Sequence, residues 1–501
     1  MGTMTEASHS EPAPSRAATA PIREARLQAI TGYCGSVADI ATKAASGCWA
    51  RNRERTFNQA SACSSGCAHT VLTNIRNAVI INHGPVGCIS DSLYSDVVLH
   101  WFQYLWQEPY TNVKVFSTDL GENETVFGGA EALRTTIREA YRRHHPDVIF
   151  VSSCCTSGII GEDLTGIIAT LADEVPIPIA PVFCDGFRTK VWASGFDAAY
   201  HAVLTHLVKP PIEKHPERVN VINFYGRDRK YVEHLLGRLG LVPQFLLAFN
   251  TVEEIAKISE AGATVSICQT LGSYLAQGLE EQYGVPQVRS VPPHGISAAD
   301  TWLRELARVT GTEDNVEALI RDEHERIAPA LESLRARLRG KRAYVGMGPG
   351  FALSFVNVLQ ELGLEIVGVT SWHLDQRHDH GQCPPALADL AARNQDFPYS
   401  VNDQQSYELL RVLREIAPDI YITRHGGTAA WAAKSGIPSV MVADEYTAFA
   451  YSGILSFGTR LVDALSSRRF AARLAQYWKL PYTRWWLEEK NAYQFLTQES
   501  R

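Results

Sequence analysis

From about Asp147 onward one pattern recurs: a short β-branched and aromatic run, a glycine-containing or polar turn, then an amphipathic stretch of helical period. Val148-Ile149-Phe150-Val151 precedes Ser152-Ser153-Cys154-Cys155, and Val219-Asn220-Val221-Ile222 precedes Tyr225-Gly226-Arg227-Asp228. Thr264-Val265-Ser266-Ile267 precedes Cys268, and Ala343-Tyr344-Val345-Gly346 precedes Met347-Gly348-Pro349-Gly350. Strands that are apolar throughout are satisfied only where helices cover both faces of a sheet, which points to parallel strands joined by helices. The fold class is therefore α/β, built from doubly wound, Rossmann-like domains with parallel sheets.

With 501 residues the chain exceeds what one core organises, and three such domains are expected. An internal echo supports repetition. Gly284-Val285-Pro286 and Gly436-Ile437-Pro438 each follow a helical stretch, with glycine where a left-handed cap is wanted and proline just beyond. The expected division is a disordered tail over 1–24, rich in Ala, Ser, Pro and Glu, then domains over 25–212, 213–338 and 339–465. Residues 466–501 are expected to wrap back or meet a partner. A net charge of −7 argues against a nucleic-acid or anionic-lipid surface. No apolar run approaches the roughly 20 residues of a membrane helix, and no secretory signal opens the chain, so a cytoplasmic location is expected.

In that compartment the ten cysteines stay reduced. Cys34, Cys48 and Cys184 read as small packed hydrophobes. Cys63, Cys67 and Cys88 sit in Ala62-Cys63-Ser64-Ser65-Gly66-Cys67 and His83-Gly84-Pro85-Val86-Gly87-Cys88. Thiolates converging on a glycine-loosened site suit iron–sulfur clusters or zinc, and glycine lets backbone approach a bulky cluster where a Cβ would clash. The paired C-x₂-C knuckles of a zinc ribbon are missing. Cys154, Cys155 and Cys268 directly follow strand-like runs, where such folds build their sites, although a cysteine there is also a common packing residue.

These segments resemble the catalytic subunits of nitrogenase. His83 to Cys88 is similar to their H-G-P-V-G-C segment, Cys155 to Asp163 to C-x-x-G-L-I-G-D-D, and Cys184-Asp185-Gly186-Phe187-Arg188 to C-E-G-F-R. Ile267-Cys268-Gln269 through Pro286 is similar to the segment whose cysteine holds the active-site cofactor. The resemblance implies a nitrogenase component-1-like fold, with metal clusters between domains and at a subunit interface. It implies that Cys63, Cys88 and Cys155 ligate a P-cluster-like relay shared with a homologous β-type partner in an α2β2 heterotetramer. Cys67 and Cys154 are then packed thiols. Cys268 would carry a large iron–sulfur cofactor, and an ATP-dependent iron protein homodimer would donate electrons.

Departures from nitrogenase shape the expected reaction. The position of the histidine at the cofactor's molybdenum end falls on or near Ala443, and the homocitrate-holding lysine is replaced within His425-Gly426-Gly427-Thr428. Trp192 and Phe196 stand where nitrogenase has Gln and His at the substrate face. The resulting pocket is drier and more apolar, and the cofactor is expected to be an all-iron form without homocitrate. His373, His378 and His380 follow the run Glu365 to Val369, and His425 follows Asp419-Ile420-Tyr421-Ile422. Among them His373, then His425, are the candidates for a distal ligand or proton donor. Met347-Gly348-Pro349-Gly350 lacks the Lys-Ser/Thr of a P-loop and reads as a cofactor-contacting or purely structural turn.

The pattern looks most like the methylthio-alkane reductases, which cleave small thioethers to methanethiol and a hydrocarbon. A cofactor-assembly scaffold subunit and a protochlorophyllide- or chlorophyllide-type tetrapyrrole reductase are the alternatives.

Overall fold

The computed structural model describes residues 29–52, 63–90, 92–187, 191–224, 226–377, 383–402, 406–442 and 448–486. Its strands form three sheets. The first runs Val115–Ser117, Ala78–His83, Val148–Ser153, Ile179–Val182 in spatial order, every pair parallel. The second places His215–Ile222 between Val242–Leu246 and Ala261–Ser266, again parallel. The third runs Tyr33–Ser36, Pro398–Val401, Glu365–Ser371, Arg342–Met347, Ile420–Thr423, Ser439–Met441.

Why these runs become central strands is visible in the first sheet. All six residues of Val148–Ser153 are buried. Successive side chains point to opposite faces. Val79, Ile81, Ile149 and Val151 thus enter one core while Ile80, Phe150, Ala180 and Val182 enter another. Each large apolar side chain so removed from water contributes about 1.5–3 kcal/mol. A third core is continuous from the second sheet (Val219, Val221, Ala263, Val265) to the third (Val345, Met347, Ile420, Ile422), and Cys268 belongs to it.

Gly284 caps helix Gln269–Tyr283 in the left-handed conformation, and Gly436 has φ +87 just past helix Gly426–Lys434. Both glycines of the repeated Gly-x-Pro therefore do what the echo implied.

One boundary needs correcting. The expected 25–212 domain includes Tyr33–Ser36, yet this strand pairs antiparallel with Pro398–Val401 on the edge of the third sheet, and Ile30 bridges Leu374. Four residues, Tyr-Cys-Gly-Ser, carry no alternation, so only the long-range pairing reveals them. After residue 465 the chain folds back. Helix Arg468–Tyr477 lies on helix Gly426–Lys434, Tyr482 packs on Trp431, and Trp486 packs on Tyr407 at 5.1 Å between ring centroids. No helix among the described residues is long and apolar enough to cross a membrane.

Candidate metal centre

Three of the four loops at the carboxyl ends of the first sheet's strands carry the cysteine segments. Strand Ala78–His83 gives way to Gly84-Pro85 and a 3₁₀ turn, Val86–Ile89, that holds Cys88. Strand Val148–Ser153 runs straight into Cys154 and helix Cys155–Ile160. Strand Ile179–Val182 leads to Cys184 and Gly186, and Cys63 arrives as the N-cap of helix Ser64–Leu72. That helix is seated on helix Ser194–His206 so tightly that a Cβ on Gly195 would stand 1.8 Å from the Ser64 carbonyl oxygen.

The thiols meet around Gly186. A Cβ there would lie 3.1 Å from Sγ of Cys63 and 3.5 Å from Sγ of Cys155. Burial first, then the neighbouring Cys154, Cys155 and Cys63 thiols, push the Cys88 thiol up to about 11. Cys63, Cys88 and Cys155 are exposed, whereas Cys154 is buried against Gly84, whose Cβ would sit 2.3 Å from its sulfur. Cys67 is buried against Gly195. Cys184 is buried too, its thiol donating to the Ser153 carbonyl, but Cys48, read as a packed residue, is exposed. Among the described residues no three His, Cys, Asp or Glu side chains close on a point that would hold a single ion. Three exposed soft donors with glycine backbone between them instead match the face of a multi-atom cluster.

Polar contacts that sequence reading did not single out hold these turns. His83 is fully buried, with Nδ1 3.1 Å from Oγ1 of Thr118 and Nε2 donating to Oε2 of Glu162 at 3.3 Å. Burial keeps the imidazole pKa below its ordinary value despite that carboxylate. Oε1 of Glu162 accepts from the Gly129 N–H at 2.7 Å, and Oγ1 of Thr118 accepts from the Gly84 N–H at 3.1 Å. The only prior signal was that His83 and Glu162 both lie in cysteine-bearing segments.

Cys268 stands apart from this group, as the N-cap of helix Gln269–Tyr283 after strand Ala261–Ser266, and is 3% exposed. Gly350 faces it. A Cβ on that glycine would lie 3.3 Å from the Cys268 sulfur and 2.8 Å from Oγ1 of Thr270. The Met347-Gly348-Pro349-Gly350 turn is thus the opposite wall of the Cys268 site, with Pro349 opening helix Pro349–Glu361. Cys268 lines a cavity of about 170 Å³ together with Phe196, Leu271, Val98, Phe351 and Arg424. The Arg424 guanidinium lies 4.2 Å from the centre of the Phe351 ring, and His294 stacks on that ring at 4.7 Å. Burial, reinforced by Arg424, lowers the His294 pKa to about 3. No local pattern marked Arg424; its place after strand Ile420–Thr423 is the one available hint.

Of the expected substrate-face aromatics, Phe196 lines the cavity and Trp192 is set behind it, ring to ring at 6.3 Å. His373 lies one ring further, perpendicular to Trp192 at 5.6 Å and 1% exposed. Neither of its nitrogens hydrogen-bonds a described residue, and Nε2 is 3.8 Å from Oδ2 of Asp375. His425 is packed edge-on to Trp372 at 5.3 Å, and burial, with Arg424, lowers its pKa to about 4. His378, His380 and Ala443 lie outside the described residues.

Against known proteins, the family model for nitrogenase component 1 type oxidoreductase matches residues 63–466. The chain is 28% identical to the nitrogenase iron-molybdenum cofactor biosynthesis protein NifE of Methanococcus maripaludis, over 79% of this chain and 81% of that one. It is 27% identical to the nitrogenase molybdenum-iron protein alpha chain of Clostridium pasteurianum, over 69% of this chain and 66% of that one. The fold is similar to the solved structure of nitrogenase Cp1 at pH 5, with a TM-score of 0.68 at 22% identity, covering 86% of this chain and 93% of that chain.

Proposed function

This chain belongs to the nitrogenase component 1 type oxidoreductase family, and we propose that it is the cofactor-bearing, α-type subunit of a reductase that cleaves the C–S bond of small thioethers. The observation that carries this reading is a buried thiol, Cys268, opening onto a predominantly apolar cavity walled by Phe196, Leu271 and Phe351. The balanced reaction takes up two electrons and two protons: the C–S bond breaks, one proton goes to the thiolate to give methanethiol, and the other to the carbon to give the hydrocarbon.

Cys63, Cys88 and Cys155 would hold a P-cluster-like relay, and Cys268 an iron–sulfur cofactor of all-iron composition without homocitrate; the donor set and the glycine faces at Gly186 and Gly350 fit both. When bound, these groups supply low-potential electrons and a reduced iron surface. Phe196 and Leu271 exclude water and receive the alkyl groups of the substrate. His373, behind Trp192 with Asp375 beside it, would be the proton donor or distal ligand, and His425, neutral at pH 7, would orient rather than protonate.

Three thiolates from one chain leave such a relay incomplete, which calls for a homologous β-type partner in an α2β2 assembly and an ATP-dependent iron protein as donor. The thiol-bearing face supports a partner. Val86 is 58%, Ile159 73% and Phe187 52% exposed, an apolar rim beside Cys88, Cys155 and Gly186.

Similarity to cofactor-biosynthesis proteins favours a second reading, an assembly scaffold that passes its cluster on. One experiment separates the two. The chain is purified anaerobically with its partner and iron protein, then supplied with ATP, reductant and ethyl methyl sulfide. Methanethiol and ethane in equal amounts, with iron retained through turnover, are expected. Silence in that assay, together with transfer of iron to a cofactor-free nitrogenase, would make the chain a scaffold.

A further inference from the structure

A second cavity, about 220 Å³, lies beside the Cys268 cavity and opens to solvent at the exposed residues Pro109, Thr111 and Asn112. The two cavities share the same three lining residues, Thr73, Asn74 and Leu99. The outer chamber is lined by more polar groups than the inner one, and its charges are held locally, Arg76 by Glu108 and Lys114 by the Asn77 side-chain oxygen at 2.8 Å. The inner one is mainly apolar. Between them, Asn74 is 3% exposed, its Nδ2 donates to the Thr70 carbonyl at 2.7 Å, and its Oδ1 accepts no hydrogen bond from a described residue. An amide acceptor left unmatched in a buried wall is costly unless water or a passing molecule satisfies it. The backbone of Asn74 is pinned, since its carbonyl accepts from the Phe249 N–H at 2.8 Å, so any movement at the wall falls to the side chain, which the single bond to Thr70 holds.

We propose that the outer cavity is the entry chamber to the Cys268 site and that Asn74 is the gate between them, passing molecules of a few heavy atoms. The selectivity is one of size first: the neck is made by one amide, one threonine and one leucine side chain. This deepens the reading of the Cys268 cavity as a reaction site, but the route is tested without any reaction there.

The full-length chain, stripped of metal under reducing conditions, is treated with iodoacetamide, and the alkylation of each cysteine is followed by peptide mass spectrometry. Cys184, buried in the core at 4% exposed, is the internal reference. Cys268 is expected to react about tenfold faster than Cys184, and Asn74→Leu to slow Cys268 about tenfold, the effect of a barrier raised by roughly 1.4 kcal/mol. Cys184 should be unaffected, and a biotinylated maleimide should leave Cys268 unmodified. Leu99→Phe, which fills the same neck from helix Ser92–Trp106, gives the same result and stands in if Asn74→Leu fails to fold. Cys268 as inert as Cys184 in the unaltered chain, or an unchanged Cys268 rate in the folded variants, overturns the proposal. A functioning gate in a protein that releases no methanethiol would leave the entry route standing and remove only the reaction.

Discussion

The imidazole of His83 and the carboxylate of Glu162 meet at 3.3 Å in the interior, and through that contact the turn leading to Cys88 is tied to the turn following the Cys155 helix. The pair joins two strands' loops that the chain separates by 79 residues. The contact fixes the loop that bears Cys88 against the turn that follows the helix of Cys155.

Removing that link should loosen the thiol face. Glu162→Ala strands His83 and the Gly129 N–H, a loss of about 1–3 kcal/mol for buried groups left unmatched. A lower thermal midpoint and less iron in the anaerobically purified protein are expected, while Glu162→Gln, which can bond both partners, stays near the parent. Equal iron content in the Ala variant would contradict the positioning role.

Adjacent cysteines should behave differently. Cys155 is exposed beside Gly186, and Cys154 is buried against Gly84. Cys155→Ala should abolish the optical and EPR signals of the relay, whereas Cys154→Ala should keep them with a modest fall in stability. The reverse order would exchange the two assignments.

At the second site, Gly350→Ala brings a methyl group to 3.3 Å from the Cys268 sulfur. Overfilling a packed wall costs about 1–3 kcal/mol, which corresponds to a loss of affinity of roughly five- to 150-fold for whatever Cys268 holds. Iron bound through Cys268 should fall while the relay signals persist. Loss of both together would show the variant acting through global unfolding.

Acid should destabilise the chain through its buried histidines. His69 is buried, with Nε2 2.8 Å from Oγ of Ser152, and burial lowers its pKa from 6.5 to about 4. His294 and His425 are shifted the same way. The folded state then binds fewer protons than the unfolded chain, so the stabilisation is complete above pH 6.5, declines as pH falls through 4 toward 3, and levels off below. In the metal-free chain the urea midpoint should drop across that window, and His69→Gln should flatten the drop. A midpoint constant from pH 7 to 5 would refute it.

Much of the architecture was legible because burial on both faces forces a distinctive composition. Val148 to Val151 could only be a central strand, and cysteines at strand ends could only lie at the sheet's carboxyl edge, where Cys155 and Cys268 are found. Gly350 was legible as a turn but not as the wall facing Cys268. Tyr33–Ser36 falls inside the expected 25–212 domain yet pairs with Pro398–Val401 of the third sheet, and pairing across such a separation leaves no local trace. Trp192 and Phe196, four apart in one segment, read alike from the sequence; the structure puts Phe196 in helix Ser194–His206 and on the cavity, and Trp192 in the turn before that helix and behind Phe196.

Local sequence, then, determined the chemical inventory: reduced thiols, glycine-softened turns and the parallel strands that carry them, since these follow from donor chemistry and two-sided burial. The tertiary structure alone decided which thiols share a face, that Arg424 enters the Cys268 cavity, and that Asn74 stands between two chambers. Those relationships depend on how three sheets and their helices pack against one another. A short window of residues cannot encode distances to segments hundreds of positions away.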